Sequence, residues 1–215
     1  VAFPLYARLQ HEQDRVRRAF LELLQGTALL VFPLCAMIFL AGEDFTRVFL
    51  GDKWAPLVPI LELLALFNVL RAVTLATHPL FLGAGRAALP AGLFLFEFLG
   101  MVLLAFPLAR VWGVMGVAWA AVLPLPFSLG WAMARARGLV GGTPGEFYRA
   151  LAVPGVAAGC ALLSGLPLKH ELAPSGARLA VLLLGAGAVY LALVLGLLGR
   201  EYVRNLWDRI RQEAK

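Results

Sequence analysis

The sequence is poor in charge. Only 15% of its 215 residues are Asp, Glu, Lys or Arg, whereas 61% are hydrophobic. Soluble domains have about a quarter of their residues charged and about half apolar. This composition argues against a soluble domain, and long apolar segments between short polar breaks indicate a polytopic membrane protein. The basic residues lie in those breaks, so membrane topology explains the net charge of +6 better than nucleic-acid binding does.

Cysteine and histidine are also scarce. The only two cysteines, Cys35 and Cys160, lie in apolar segments, where cysteine commonly packs as a small hydrophobic residue. A disulfide framework is therefore not expected. The three histidines, His11, His78 and His170, lie far apart in the sequence, so no metal site is predicted.

Motifs that carry catalysis or bind cofactors are missing as well. The sequence has no HExxH, paired CxxC, GxSxG or GxxxxGK[ST] pattern. The GAGRAA stretch around Gly83 follows an apolar helix rather than a strand, so it is not a dinucleotide loop. We predict no catalytic residue and no cofactor. There is no signal-peptide pattern, and the opening at Val1 in an apolar-to-polar transition suggests the C-terminal part of a longer protein.

Six segments are long and apolar enough to cross a bilayer. Each has about 18 to 25 residues, and at about 1.5 Å per residue such a helix spans a hydrocarbon core of about 30 Å. The predicted spans are about 21–42, 56–80, 88–108, 113–133, 150–167 and 177–199. We therefore predict an all-α membrane protein, a polytopic helical bundle.

The distribution of basic residues predicts the orientation of this bundle. Thirteen of the 19 Lys and Arg residues fall on one side when the breaks are assigned alternately, and five fall on the other. Positive charge is retained in the cytoplasm. The C-terminus is therefore expected on the cytoplasmic side of the membrane, and the breaks 43–55, 109–112 and 168–176 on the external side. The external Lys169–His170–Glu171 turn is expected to be solvated.

The two ends of the chain are predicted to lie at the membrane surface. Residues 1–20 are predicted to hold the cytoplasmic end of a preceding span and an amphipathic connector. Residues 200–215 are predicted to form a basic amphipathic tail on the inner leaflet. The transmembrane bundle is expected between them, at 21–199.

Arg71 and Glu97 are ionisable residues inside predicted spans, where a charge is costly and needs a partner or a water-filled cavity. Each lies about nine residues from the inner end of its span, which places both about 13 Å from the cytoplasmic surface. Consecutive spans are usually adjacent, so a pair between them is expected. That pair either joins two helices or places the Arg71 guanidinium in a cavity where it can bind a phosphate.

The second span carries two more polar candidates, Glu62 and Asn68. Glu62 lies nearer the outer surface and about 180° around the helix from Arg71, so the two are not expected on one wall. It is a candidate partner for a helix outside this chain. Asn68, near the membrane centre, is expected to hydrogen-bond between helices. With Arg71 and Glu97, these two residues are our candidates for a substrate-binding cavity.

The order of several short motifs resembles a known family. FPLYARLQ is followed by a basic link, an external VFLGDKWAP turn, a span ending LFLGAGRAALP, and VWGVMGVAWA at the start of another span. This order is similar to the C-terminal half of the polysaccharide transporter family, within the multidrug/oligosaccharidyl-lipid/polysaccharide exporter superfamily. The most specific positions are Pro4 with Arg8, Gly51 to Trp54, Gly83 with Arg86, and Trp112 to Ala118.

Membership of this family implies one lobe of a two-lobed exporter with a central cavity. It implies a flippase that moves isoprenoid-diphosphate-linked oligosaccharide repeat units from the cytoplasmic to the external leaflet for exopolysaccharide, O-antigen or capsule. The implied partners are this lipid-linked oligosaccharide, the bilayer, the N-terminal lobe of the same chain, and polysaccharide polymerase and glycosyltransferases.

Several alternatives share parts of this pattern. A multidrug/cation antiporter of the same superfamily would favour acidic cavity residues, for which Glu62 and Glu97 are candidates. A flippase for the lipid-linked peptidoglycan precursor would share the fold. A membrane glycan polymerase or ligase usually needs large external loops, whereas the external breaks here have only about 4 to 13 residues. We also considered a non-transport assembly subunit, and we expect a transporter rather than an enzyme.

Overall fold

A computed structural model describes residues 13–171 and 175–213 of the chain, with side chains at 13–169 and 175–199. Within these ranges the regular structure is entirely helical, which confirms the predicted all-α membrane fold. The α-helices are α1 (Gln13–Phe45), α2 (Val58–Leu75), α3 (His78–Gly83), α4 (Ala88–Val122), α5 (Leu125–Val140), α6 (Pro144–Glu171) and α7 (Gly176–Glu213).

Helix α1 has 33 residues and is about 50 Å long. Its first turns carry an apolar stripe, Val16, Phe20 and Leu24, at the four-residue spacing of one helix face. This stripe is buried in a core shared with α2, α3, α5 and α6. The predicted connector therefore continues directly into the first span and packs into the bundle. The part of the connector before Gln13 lies outside the described residues.

The chain reverses between α1 and α2 in a short helical turn. A π-helical turn, Thr46–Leu50, leads to Gly51, whose φ of +90° suits glycine. A 3₁₀ helix, Asp52–Leu57, then leads into α2. Trp54 is exposed in this turn, and an indole side chain favours the headgroup layer at a membrane edge.

Helix α4 reverses its direction at Gly113. The part of α4 before Gly113 packs against the part after it and against α5, and together they form a helical hairpin. This glycine has φ 57° and ψ −136°, which interrupts α4. A Cβ added at Gly116 would clash with the backbone carbonyl of Leu108, and one at Gly100 would lie 2.8 Å from Pro124. Both pairs are centred on residue 112, as expected when two halves run antiparallel. The reversal falls beside the predicted break at 109–112.

The last two helices pack against α1 through small residues. Ala157, Ala158 and Ala161 of α6 and Ala186 of α7 are buried beside Ala36 of α1. Small side chains allow the helix backbones to approach closely in a membrane, where apolar burial gives little net attraction. The described backbone of α7 continues to Glu213, so the predicted tail is helical as far as that residue, and its position on the membrane surface stays a prediction.

Among the residues that the structure describes, five helical segments are long and apolar enough to cross a membrane. One of them, Ala88–Val140, has 53 residues, about twice the length that a crossing needs. Because this segment folds back at Gly113, it supplies two crossings, which agrees with the predicted count of about six. We call the end of the bundle with Gly51, Gly113 and Ser175 the Asp44 end, and the end with Gly85 and Gly141 the Arg17 end.

Candidate functional site

Arg71 and Glu97 form the ion pair that their depths predict. Arg71 Nη1 of α2 contacts Glu97 Oε2 of α4. The other carboxylate oxygen, Oε1, accepts a hydrogen bond of 2.6 Å from Ser128 Oγ of α5. The Glu97 side chain is 10% exposed and that of Arg71 is 27% exposed. Glu97 is thus held on both oxygens, whereas part of the Arg71 guanidinium stays accessible.

Aromatic rings surround the Arg71 guanidinium. Its central carbon lies 5.1 Å from the ring centre of Phe94 and 5.9 Å from that of Phe67. A cation near the faces of such rings is stabilised by their quadrupole. His78 packs edge-on against Phe94 at 5.0 Å, and its buried Nε2 has no hydrogen-bond partner among the described residues. The pair therefore lies in a largely apolar wall that holds the guanidinium in place.

Glu62 lines a different space from Arg71, as their helical spacing predicts. It borders a cavity of about 640 Å³ between α1, α2, α4 and α6. Arg71 is not among the residues that line this cavity. Apart from Glu62, its lining is almost wholly apolar, with Phe32, Leu66 and Trp119 among the larger side chains. The cavity suits a lipid-like group more than a sugar.

Two predictions about this region are wrong. Lys169 is not a solvated loop residue: it lies in α6, and its side chain is 13% exposed. Its Nζ lies 2.6 Å from Glu62 Oε1 and donates to the Phe39 carbonyl at 3.0 Å. Glu62 is therefore paired within this chain and not with a helix outside it. Both predictions failed because α6 extends beyond the predicted span. Lys169 is therefore helical, and its ammonium group lies next to the Glu62 carboxylate.

This contact can be tested by cross-linking. A lipid-soluble carbodiimide should join Glu62 to Lys169 by an amide bond, linking α2 to α6, because the two groups are in direct contact. Peptide mass spectrometry of the full-length protein should detect the product. Glu62→Gln and Lys169→Arg should each abolish it, and Glu22→Gln, at an exposed position of α1, should not. A product that persists in Glu62→Gln would contradict the pair.

Asn68 is exposed. Its Nδ2 donates to the Leu64 carbonyl of the same helix at 2.8 Å, not to a neighbouring helix as predicted. It follows Leu64 by one turn and precedes Arg71 by three residues, so Asn68 and Arg71 lie on adjacent positions of one helix surface. That surface is polar midway along the span Asp52–Gly83.

The strongest ionic cluster in the described part of the chain lies at the Asp44 end, and the sequence analysis missed it. Asp44 of α1 is fully buried, and Arg178 of α7 is 3% exposed. Arg178 Nε lies 2.8 Å from each carboxylate oxygen. Asp44 also accepts from the Ser175 backbone N–H, and Arg178 donates to the Lys169 carbonyl. This network fastens α1, α6 and α7 at one end of the bundle.

The missed partners were Ser128, Asp44 and Arg178. The available signal was membrane depth: Asp44 and Arg178 both fall at the predicted external ends of their spans. Glu97 and Ser128 lie 16 and 15 residues on either side of Gly113, at nearly the same depth. Depth limits the partners of a charged group, but it selects neither one hydroxyl on the next span nor a partner on a non-consecutive helix.

Comparison with known proteins adds an independent finding. Residues 1–59 match the model of a family described as "Polysaccharide biosynthesis protein". The teichuronic acid biosynthesis protein TuaB of Bacillus subtilis (strain 168) is 35% identical over 89 residues, or 41% of this chain and 18% of that protein. The lipopolysaccharide biosynthesis protein WzxC of Escherichia coli (strain K12) is 30% identical over 73 residues, or 34% of this chain and 15% of that protein.

The resemblance to the polysaccharide transporter family is confirmed. A third relative, the succinoglycan biosynthesis transport protein ExoT of Rhizobium meliloti (strain 1021), is 28% identical over 88 residues, or 41% of this chain and 18% of that protein. The matched part spans less than a fifth of the length of each of these relatives. No solved structure gives a significant match. Together with the apolar helices, these relatives support a multi-pass membrane protein that is similar, over part of its length, to proteins named for polysaccharide biosynthesis.

Proposed function

We propose that this chain is the C-terminal part of a flippase that moves lipid-linked oligosaccharide repeat units across the bacterial inner membrane for surface polysaccharide synthesis. It acts as a transporter and not as an enzyme. The Arg17 end and the C-terminus face the cytoplasm, where positive charge is retained. The names of three relatives, which refer to teichuronic acid, lipopolysaccharide and succinoglycan, support this proposal.

One observation carries the proposal: α2 presents an accessible polar surface at membrane depth. Asn68 is exposed and Arg71 is partly exposed, midway along an apolar span. Polar groups at this depth are costly against lipid and normally face protein or a water-filled cavity. This surface therefore faces the other lobe of the transporter and forms one wall of the substrate path.

Arg71 supplies the cation that an isoprenoid diphosphate requires. A guanidinium donates two parallel hydrogen bonds to a phosphate. In the structure Glu97 occupies part of that capacity. A diphosphate that enters from the accessible side competes with Glu97 for Arg71, while Ser128 keeps its hydrogen bond to Glu97. The exchange limits binding strength, so the substrate is held during transit and released afterwards.

The drug/cation antiporter alternative depends on open acidic residues. Both of its candidates are engaged by cations: Glu62 by Lys169 and Glu97 by Arg71. Neither carboxylate is free to bind a cationic drug in this arrangement. No feature of the described residues favours the peptidoglycan-precursor alternative over the oligosaccharide flippase.

A charge-reversal series tests the role of Arg71. In the full-length protein, Arg71→Glu should reduce transport about tenfold or more, because a hydrogen bond to a charged group contributes about 1.5–3 kcal/mol. The measurement is the build-up of complete lipid-linked repeat units on the cytoplasmic leaflet, with loss of surface polysaccharide. Arg149→Glu, at an exposed arginine near the start of α6 at the Arg17 end, is the control and should transport normally.

The double variant Arg71→Glu with Glu97→Arg distinguishes a role of Arg71 in substrate binding from a role in joining α2 to α4. It restores opposite charges between α2 and α4, so protein level and thermal stability should recover. Transport should stay low, because the cation has moved from α2 to α4. Full recovery of transport would show that the pair only joins two helices and would remove Arg71 from the substrate site. Build-up on the external leaflet after depletion of the protein would instead indicate a polymerase or ligase.

A further inference from the structure

A second site, separate from the α2 surface, lies at the Arg17 end between α5 and α6. The two helices diverge from the loop at Gly141–Thr143 and leave a groove of about 400 Å³, with α2 at its base. This volume falls in the range of ligand pockets, about 300–1,000 Å³. The groove wall is formed mainly by Leu70, Val73, Leu129, Met133, Phe147 and Leu151.

One cation stands among the residues that line this apolar groove. Arg137 lies in the last turn of α5 and is exposed. Within the described part of the chain it has no carboxylate partner within 4.0 Å. Glu146, the acid at the start of α6, is paired instead with Arg17 at 3.5 Å. Tyr148, 75% exposed, also lines the groove on the α6 side.

We propose that this groove binds a membrane phospholipid with an anionic headgroup, such as phosphatidylglycerol, with its phosphate on Arg137 and an acyl chain along the groove. The argument is charge complementarity at a fixed depth. The groove begins within the apolar spans and ends at the last turn of α5, which is the boundary that a phospholipid crosses. A guanidinium is well suited to a phosphodiester at that boundary.

The headgroup and not the tail must provide the selectivity. An acyl chain gains little by moving from bilayer to groove, because both are apolar. Arg137 attracts an anionic headgroup more strongly than a zwitterionic one. One cation near an anionic membrane surface contributes about 1 kcal/mol, which corresponds to about a fivefold preference for the anionic lipid. The bound lipid fills the gap between α5 and α6. It thereby stabilises the packing of α5, the helix that carries Ser128. This proposal does not depend on which substrate the transporter moves.

Native mass spectrometry of the full-length protein tests the site. The protein, in nanodiscs of equal phosphatidylglycerol and phosphatidylethanolamine, should retain one phosphatidylglycerol after mild activation. Arg137→Gln should lower that retention about fivefold. Arg135→Gln is the matched control, because Arg135 is exposed on the same helix, stacks on Trp131 and does not line the groove. It should leave retention unchanged.

A groove-filling variant tests the tail portion without changing charge. A Cβ at Gly130 meets no atom within 4 Å, and Gly130 lines the groove, so Gly130→Leu should fold and should also reduce retention. Equal loss in Arg135→Gln would mean a general charge effect and would overturn the proposal. So would full retention in both Arg137→Gln and Gly130→Leu, or displacement of phosphatidylglycerol by an equimolar isoprenoid phosphate, which would assign the groove to the lipid carrier.

Discussion

Replacing Asp44 with alanine is expected to lower the free energy of unfolding of the full-length protein by at least about 3 kcal/mol. The change leaves the Arg178 guanidinium 3% exposed and without its main partner, and breaking one side of a buried pair typically costs about 3–5 kcal/mol. The contact of Arg178 with Glu43 at 3.2 Å survives, which places the effect near the lower limit. Thermal unfolding in detergent, followed by size-exclusion chromatography, measures it.

Asp52→Ala is the matched control for this experiment. Asp52 is also an acid at the Asp44 end and pairs with Arg47 at 3.0 Å, but its side chain is 84% exposed. Exposed pairs contribute about 0–1 kcal/mol, so this variant should unfold almost like the wild type. Replacing both Asp44 and Arg178 with leucine should restore most of the lost stability, because no charge is then left buried. Equal loss in the single and double variants would mean that packing, not charge, dominates.

Gly116→Ala is expected to destabilise the hairpin of α4 and α5. The new Cβ would clash with both the oxygen and the carbon of the Leu108 carbonyl group. Both belong to the backbone, so the two halves of the hairpin must separate. Overpacking of this kind costs about 1–3 kcal/mol and occasionally more. The folded fraction after membrane extraction and the unfolding midpoint should both fall.

Gly92→Ala provides a control with the opposite sign. Gly92 lies in the same hairpin, but a Cβ there meets no atom within 4 Å. Alanine is favoured over glycine inside a helix by about 0.5–1 kcal/mol, so this variant should be unchanged or slightly more stable. If Gly116→Ala were as stable as Gly92→Ala, the close approach at Gly113 would be wrong and the two halves would lie farther apart.

Local and consecutive features of this protein could be predicted from its sequence. Apolar length identified the crossings, and the reversal beside Trp112 followed from a short break. Arg71 and Glu97 could be paired because consecutive spans are usually adjacent and both residues lie at one depth. Each of these predictions needs only the helical rise and the order of the chain.

Contacts between distant helices could not be predicted in the same way. Asp44 and Arg178 are separated by 134 positions, and Glu62 and Lys169 by 107. Their contact depends on α6 and α7 packing against α1 and α2, which apolar helices of similar composition do not specify. The extra turn of α6 beyond its apolar segment also hid Lys169, because a charged residue that follows an apolar segment resembles the start of a loop. Membrane depth limits the partners of a charge but does not choose among them.

The Asp44–Arg178 pair can form only late in the synthesis of the chain. Arg178 is synthesised 134 residues after Asp44, which at about 5–20 residues per second corresponds to roughly 7–27 s. During that interval α1 can be inserted while its acid still has no guanidinium, so the translocon or the hydrated membrane surface must accommodate it. A nascent chain stopped before α7 would carry an uncompensated charge at the Asp44 end. Because Arg178 lies in the first turn of α7, the Asp44 carboxylate gains its partner only after the start of the last helix has been made.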